Sequence, residues 1–154
     1  MKNVAVVLFI LLLAAGLHGS GTPVSFGIHF GTMTDESFSF DPLFWTAGVE
    51  LDFRFNNYLM FSPEATLVSH GFKFKDFTLY PAAILNLTAS TFFVGGGITK
   101  GFFLGSGASG STKVALKLNG GLLTNQMKLT AYIITGFGDL FKDMLVGASL
   151  GFRF

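Results

Sequence analysis

The sequence predicts an all-β fold, an eight-stranded antiparallel up-and-down transmembrane β-barrel, and three observations carry that prediction. Apolar residues recur at every second position through most of the chain, the period of a strand with two chemically different faces. Hydrophobic residues make up 50% of the 154 residues and charged ones only 12%, with 20 Phe and 20 Gly, so much of the apolar surface calls for a solvent other than water. Connections between the alternating segments are long and short by turns, as in barrels with loops at one rim and tight turns at the other.

The N-terminal stretch MKNVAVVLFILLLAAGLHGSG stands apart from this pattern. Lys2 is followed by an apolar run from Val4 to Leu17, shorter than the roughly 17 to 25 residues of a spanning helix, and then by small residues. That is the layout of a secretory signal peptide, with cleavage expected between Gly16 and Gly21. The chain then divides into a signal, 1–21, and one barrel domain, 22–154. With no cysteine, burial and backbone hydrogen bonds must hold the fold, and no lipidated N-terminal cysteine can form. Loss of Lys2 turns a formal charge of +1 into neutrality, which offers nucleic acid no attraction.

Strands are expected near 24–33, 45–55, 59–69, 77–87, 92–102, 113–123, 128–137 and 144–154, each close to the 9 to 11 residues a tilted strand needs to cross a bilayer. In WTAGVELDFRF, the residues Trp45, Ala47, Val49, Leu51, Phe53 and Phe55 share one face, and Thr46, Gly48, Glu50, Asp52 and Arg54 share the other. The C-terminal MLVGASLGFRF repeats this, with Met144, Val146, Ala148, Leu150, Phe152 and Phe154 opposed to Leu145, Gly147, Ser149, Gly151 and Arg153. The longer connections are TMTDESFSFDPLF, HGFKFKD, FLGSGASGST and GDLFKDM, and the shorter ones NNY, TAST and TNQM. Both termini then fall at the short-turn rim, the periplasmic side of such a barrel.

Face assignment follows from bulk. A soluble barrel would place the apolar face inward, but eight strands leave little more than side-chain room inside. Trp45, Leu51, Phe53, Phe55, Val146 and Leu150 are therefore assigned to lipid, and Gly, Ser, Thr and the charges to the lumen. Gly95, Gly97, Gly121, Gly147 and Gly151 all fall on the inner face. Keeping both Glu50 and Glu64 inside requires paired numbers with an even sum, hence an odd hairpin loop such as Asn56-Asn57-Tyr58. A two-residue Asn56-Asn57 turn would aim Glu64 at lipid, at a cost of about 2 to 4 kcal/mol or less by depth scales for charged residues.

The lumen charge network expected from this parity comprises Glu50, Asp52, Arg54, Glu64, Lys117 and Arg153. Glu50 and Glu64 fall nearly opposite each other and need a cation between them, for which Lys117 lies at similar depth. Such a network is either a salt-bridged plug or the gate of a narrow channel for small solutes, and the narrow lumen favours the plug.

The terminal Phe152 and Phe154, with apolar residues at alternate positions before them, resemble the insertion signal of outer-membrane proteins. FSPEATLV, LYPAAILNL and FFVGGGITKGF resemble strands of the small bacterial outer-membrane β-barrel family that includes the OmpX and OmpA transmembrane barrels. The resemblance implies location in the bacterial outer membrane, contact with outer-membrane lipid and lipopolysaccharide, and handling by the barrel assembly machinery. It implies a porin-like or structural barrel with no enzymatic activity, and names no extracellular partner. Unlike OmpA-type proteins, the chain is expected to carry no periplasmic peptidoglycan-binding domain after the barrel.

Other motifs carry less. Ser69 and His70 at the long-loop rim suggest a lipid-modifying hydrolase, but neighbours on a strand point to opposite faces and cannot readily bond each other. His29 is expected as an inward lining residue; no His, Asp and Glu cluster has metal-ligand spacing, and no cofactor motif is present. GSGASGS lacks the Lys and helix of a phosphate cradle. Phe38, Phe40, Leu43 and Phe44 in TMTDESFSFDPLF are either aromatic anchors for a partner or part of an interfacial girdle, and the girdle common to such barrels is the favoured expectation.

Overall fold

The computed structural model describes residues 23–35, 43–70, 76–105, 110–138 and 144–154, with only the backbone of His70. The expected signal peptide and its cleavage site, and Phe38 and Phe40, lie outside the described residues. Eight strands form in sequence order: β1 (Val24–Asp35), β2 (Phe44–Arg54), β3 (Leu59–His70), β4 (Asp76–Ala89), β5 (Phe92–Gly105), β6 (Gly110–Leu123), β7 (Met127–Gly136) and β8 (Leu145–Arg153). Each pairs antiparallel with its neighbours in a closed barrel, so no edge is left to satisfy. Closure runs from Gly27 opposite Arg153 to Asp35 opposite Leu145. Beyond it, Phe154 and Phe26 exchange backbone hydrogen bonds of 2.8 and 3.1 Å.

Five strands run longer than their alternation suggests, β4, β5 and β6 by the most. β5 continues to Gly105 and β6 begins at Gly110, so that the glycine- and serine-rich connection shrinks to 106–109. Ladder pairing persists there because backbone groups need partners whatever the side chains are, and a register shift between Lys100 and Phe102 absorbs the mismatch. β4 extends to Ala89, leaving Ser90 and Thr91 as the turn. Ser90 takes a φ of 57°, a left-handed conformation that costs a residue with a Cβ about 1 to 2 kcal/mol.

The first hairpin has the register that parity demanded. Glu50 pairs with Glu64, Phe53 with Phe61 and Arg54 with Met60, all centred on Asn57. Phe55 N donates to Leu59 O at 3.0 Å, closing a loop of Asn56, Asn57 and Tyr58. Asn56 Oδ1 accepts from the Tyr58 and Leu59 amides, both at 2.8 Å, which pins the turn.

Outward positions are apolar and open: Trp45 is 40% exposed, Val94 62%, Leu150 38% and Phe152 45%. Inward positions are closed, and the packing rule is visible in the register. Glu50 faces Gly27, His29 faces Gly48, Lys117 faces Gly97, and Tyr132 faces Gly147. A Cβ on Gly147 would sit 2.4 Å from the Tyr132 ring, and one on Gly48 2.4 Å from His29 Nε2. Glycine opposite these four long inward side chains lets a narrow barrel hold groups that otherwise collide.

Two expectations about faces are corrected. Phe53 sits on the outward parity but is only 5% exposed, because its ladder partners Val24 and Phe61 flank it and the Phe61 ring lies 6.3 Å away. Phe44, expected in the outer girdle, packs against the interior cluster of Met33, Val68, Tyr132 and Ile134, since its even number puts it on the inward side of β2.

Candidate functional site

The barrel interior is the candidate site, and it is layered along the axis. At the long-loop end, Met33, Val68, Tyr132 and Ile134 form an apolar cluster backed by Phe44, Tyr80, Ala115 and Leu145. At the short-turn end Met60, Phe93 and Leu123 form a second. The acids Glu50, Asp52 and Glu64, with Lys117 and Lys128, lie between, and Arg54 and Arg153 reach the short-turn mouth.

In the upper charged layer Lys117 Nζ donates to Glu64 Oε1, with side chains only 6% and 8% exposed. Lys117 Nζ also stands 4.3 Å from the centre of the Tyr132 ring, whose negative face favours a cation. Thr66 Oγ1 donates to Glu64 at 3.4 Å and contacts His29 Nε2 at 3.1 Å.

In the lower layer Lys128 Nζ donates to Glu50 Oε2 at 2.7 Å and Asp52 Oδ1 at 3.2 Å. Arg153 Nε donates to Asp52 Oδ2 at 3.1 Å, and its Nη1 to the Thr124 carbonyl at 3.0 Å. Ser62 donates to Asp52 at 2.6 Å and is held by Asn86 at 2.8 Å. Glu50, Asp52 and Glu64 are thus matched by Lys117, Lys128 and Arg153, and the network is neutral in formal charge. Neutrality matters because an unpaired ion in this interior would cost several kcal/mol.

Parity therefore places the six expected lumen residues inward, but their pairing differs from the expected one. Lys117 was expected to join Glu50 to Glu64; it holds Glu64, and Lys128 holds Glu50. Lys128 was not among the expected residues. It is the second residue of β7, beside a turn, where a lysine reads as solvent-facing, yet it shares parity with Thr130 and Tyr132 and is 3% exposed. Arg54 lies inward but half-buried at the short-turn rim, outside the ion pairs of the described residues, and its Nε has no partner.

A cavity of about 10 Å³ lies among His29, Glu50, Glu64, Lys117, Lys128 and Tyr132, room for about one water. Among the described residues no group of His, Cys, Asp and Glu is arranged to hold a metal. Ser69 is on the outward parity of β3 and buried, opposite Trp45 and Phe77 in the ladders. The side chain of His70 lies outside the described residues.

No known family model matches the chain, and no curated protein does. Solved structures do. The de novo designed transmembrane barrel TMB2.3 aligns with a TM-score of 0.61 at 10% identity, covering 86% of this chain and 96% of its own. The N-terminal β-barrel domain of Pseudomonas aeruginosa OprF aligns with 0.51 at 13%, covering 84% and 97%. This chain has the fold of a small transmembrane β-barrel. The Yersinia pestis outer membrane protein Ail, in a bilayer nanodisc, also matches, at 14% identity and a TM-score of 0.47 over 86% of this barrel and 100% of Ail. With identities this low the likeness is one of fold, and the barrel's own interior must supply any argument about role.

Proposed function

We propose that the protein is a bacterial outer-membrane barrel with a closed lumen, serving envelope structure or surface interaction and not solute passage or catalysis. The observation that carries this reading is the stacking of a neutral ion-pair network between two apolar clusters. Any ion crossing the barrel would have to part Met33 from Val68 and Met60 from Phe93, and break a buried pair between them. The cavity inside the network has room for about one water, which leaves a hydrated ion no path through it.

Placement in the outer membrane is supported by the signal-like N-terminus, the apolar outer wall and the barrel fold. Among the described ladder-paired outward positions Lys100 alone is charged, two residues before Phe102 and with Nζ 5.6 Å from its ring centre. A lysine there can extend to lipid phosphate, which fits contact with lipopolysaccharide at the long-loop rim. Phe152 and Phe154 are the groups we assign to recognition by the assembly machinery.

Reconstitution in planar bilayers tests the closed lumen. A silent membrane, at protein loads where insertion is verified by protection from protease, is expected. Resolved unitary current steps that vanish on Lys117→Met substitution would establish a channel and overturn the reading.

A further inference from the structure

The chain contains only two arginines, Arg54 and Arg153, and the fold brings both to one cleft at the short-turn mouth of the barrel. The cleft has a volume of about 460 Å³ and is lined also by Ser25, Asn56, Asn57 and Asn125. Every other basic residue is a lysine, so the planar five-donor group has been used at this place alone.

Several donors here lack acceptors. Arg153 gives Nε to Asp52 and Nη1 to the Thr124 carbonyl, but its Nη2 is buried without a partner, and the residue is 7% exposed. Arg54 Nε is likewise buried without a partner. The acids that could neutralise Arg54 are engaged: Asp52 by Lys128 and Arg153, Glu50 by Lys128, Glu64 by Lys117. Asn56 spends its carbonyl oxygen on the Tyr58 and Leu59 amides, which leaves its NH₂ group to donate outward. A buried donor with no acceptor keeps the penalty of its lost hydration, so a cleft beside such donors is stabilised by an acceptor-rich guest.

We propose that this cleft binds an oxyanion of the phosphate class, presented from the aqueous phase at the short-turn mouth. Two guanidinium groups and side-chain amides from two different turns approach from several directions. That suits a tetrahedral anion with three or four oxygens better than the planar pair of a carboxylate. Position decides between the aqueous phase and a lipid headgroup: Ser25 and Arg54 lie on the inward parity, within the ring of strands and not on its outer wall.

Inorganic phosphate is the probe, titrated at constant ionic strength into the ¹⁵N-labelled barrel in phosphatidylcholine nanodiscs. Only two arginine Nε–H signals exist to be followed. Both are expected to shift and saturate with phosphate, while chloride and acetate produce at least tenfold weaker responses. Arg54→Gln is expected to weaken phosphate at least tenfold. Asn125→Asp, which adds a negative wall without touching the Asp52 pairs, is expected to abolish binding in a barrel whose heat-modifiable gel mobility is unchanged. Linear, unsaturating shifts, or equal responses to chloride, would overturn the proposal. Arginine signals already displaced in phosphatidylglycerol nanodiscs and insensitive to phosphate there would overturn the aqueous source in favour of a headgroup.

Discussion

Replacing Lys128 by methionine keeps the length of the buried stem and removes its charge. Lys128 is 3% exposed and holds Glu50 at 2.7 Å and Asp52 at 3.2 Å. Asp52 retains Ser62 and Arg153, so the loss concentrates on Glu50, whose Oε1 already lacks a partner and whose Oε2 then loses its ammonium. An uncompensated buried carboxylate puts the cost at about 3 to 5 kcal/mol. Adding Glu50→Gln removes the stranded charge and is expected to return about 2 kcal/mol of that loss, a coupling in the range of contacting residues. Equilibrium urea unfolding in phosphatidylcholine vesicles measures both, followed by the fluorescence of the single tryptophan, Trp45, on the outer wall. Lys100→Met, on the outward face near the rim, serves as control and should change stability by less than about 1 kcal/mol. A Lys128→Met cost below about 1 kcal/mol, the level of an exposed pair, would refute the claim that this network is sealed from water.

Gly147→Val places a branched side chain where even a Cβ meets the Tyr132 ring at 2.4 Å, and should destabilise the barrel by about 1 to 3 kcal/mol or prevent folding, as read by heat-modifiable gel mobility. Ser90→Gly relieves the left-handed backbone at a φ of 57° and should stabilise by about 1 kcal/mol in the same urea assay. Met60→Ala opens the short-turn cluster at a fully buried position and should cost about 2 to 5 kcal/mol. Phe154→Ser should lower the yield of barrel assembled in cells well before it lowers equilibrium stability, because its side chain is 77% exposed while its closing hydrogen bonds to Phe26 are made by the backbone.

Alternation and loop asymmetry made the strand number and the inward or outward sense of most residues legible, because period two is a local property of the pleat. The hairpin register could be derived because a wrong parity would have put Glu64 in lipid, a penalty visible from sequence. Pairing inside the lumen was not legible. Which cation meets which acid depends on strand tilt and on which positions share a depth across the barrel, and these come from shear, a global quantity. Hence the sequence pairs Lys117 with both glutamates and does not single out Lys128, although Lys128 shares parity with Tyr132. The burial of Phe53 escaped for a similar reason: alternation assigns a face but says nothing of how ladder neighbours such as Phe61 cover it. The glycines opposite Glu50, His29, Lys117 and Tyr132 become meaningful only once the register is known.

The reversal of the usual inside and outside is tested most directly by single cysteines at Ala148, Ser149 and Leu150, in a chain that has none of its own. Fluorophores attached at 148 and 150 should be quenched by brominated acyl chains, while the cysteine at 149 should resist every labelling reagent until the barrel is unfolded. Rapid modification of position 149 by a water-soluble reagent, with 148 and 150 shielded from the lipid quencher, would contradict it.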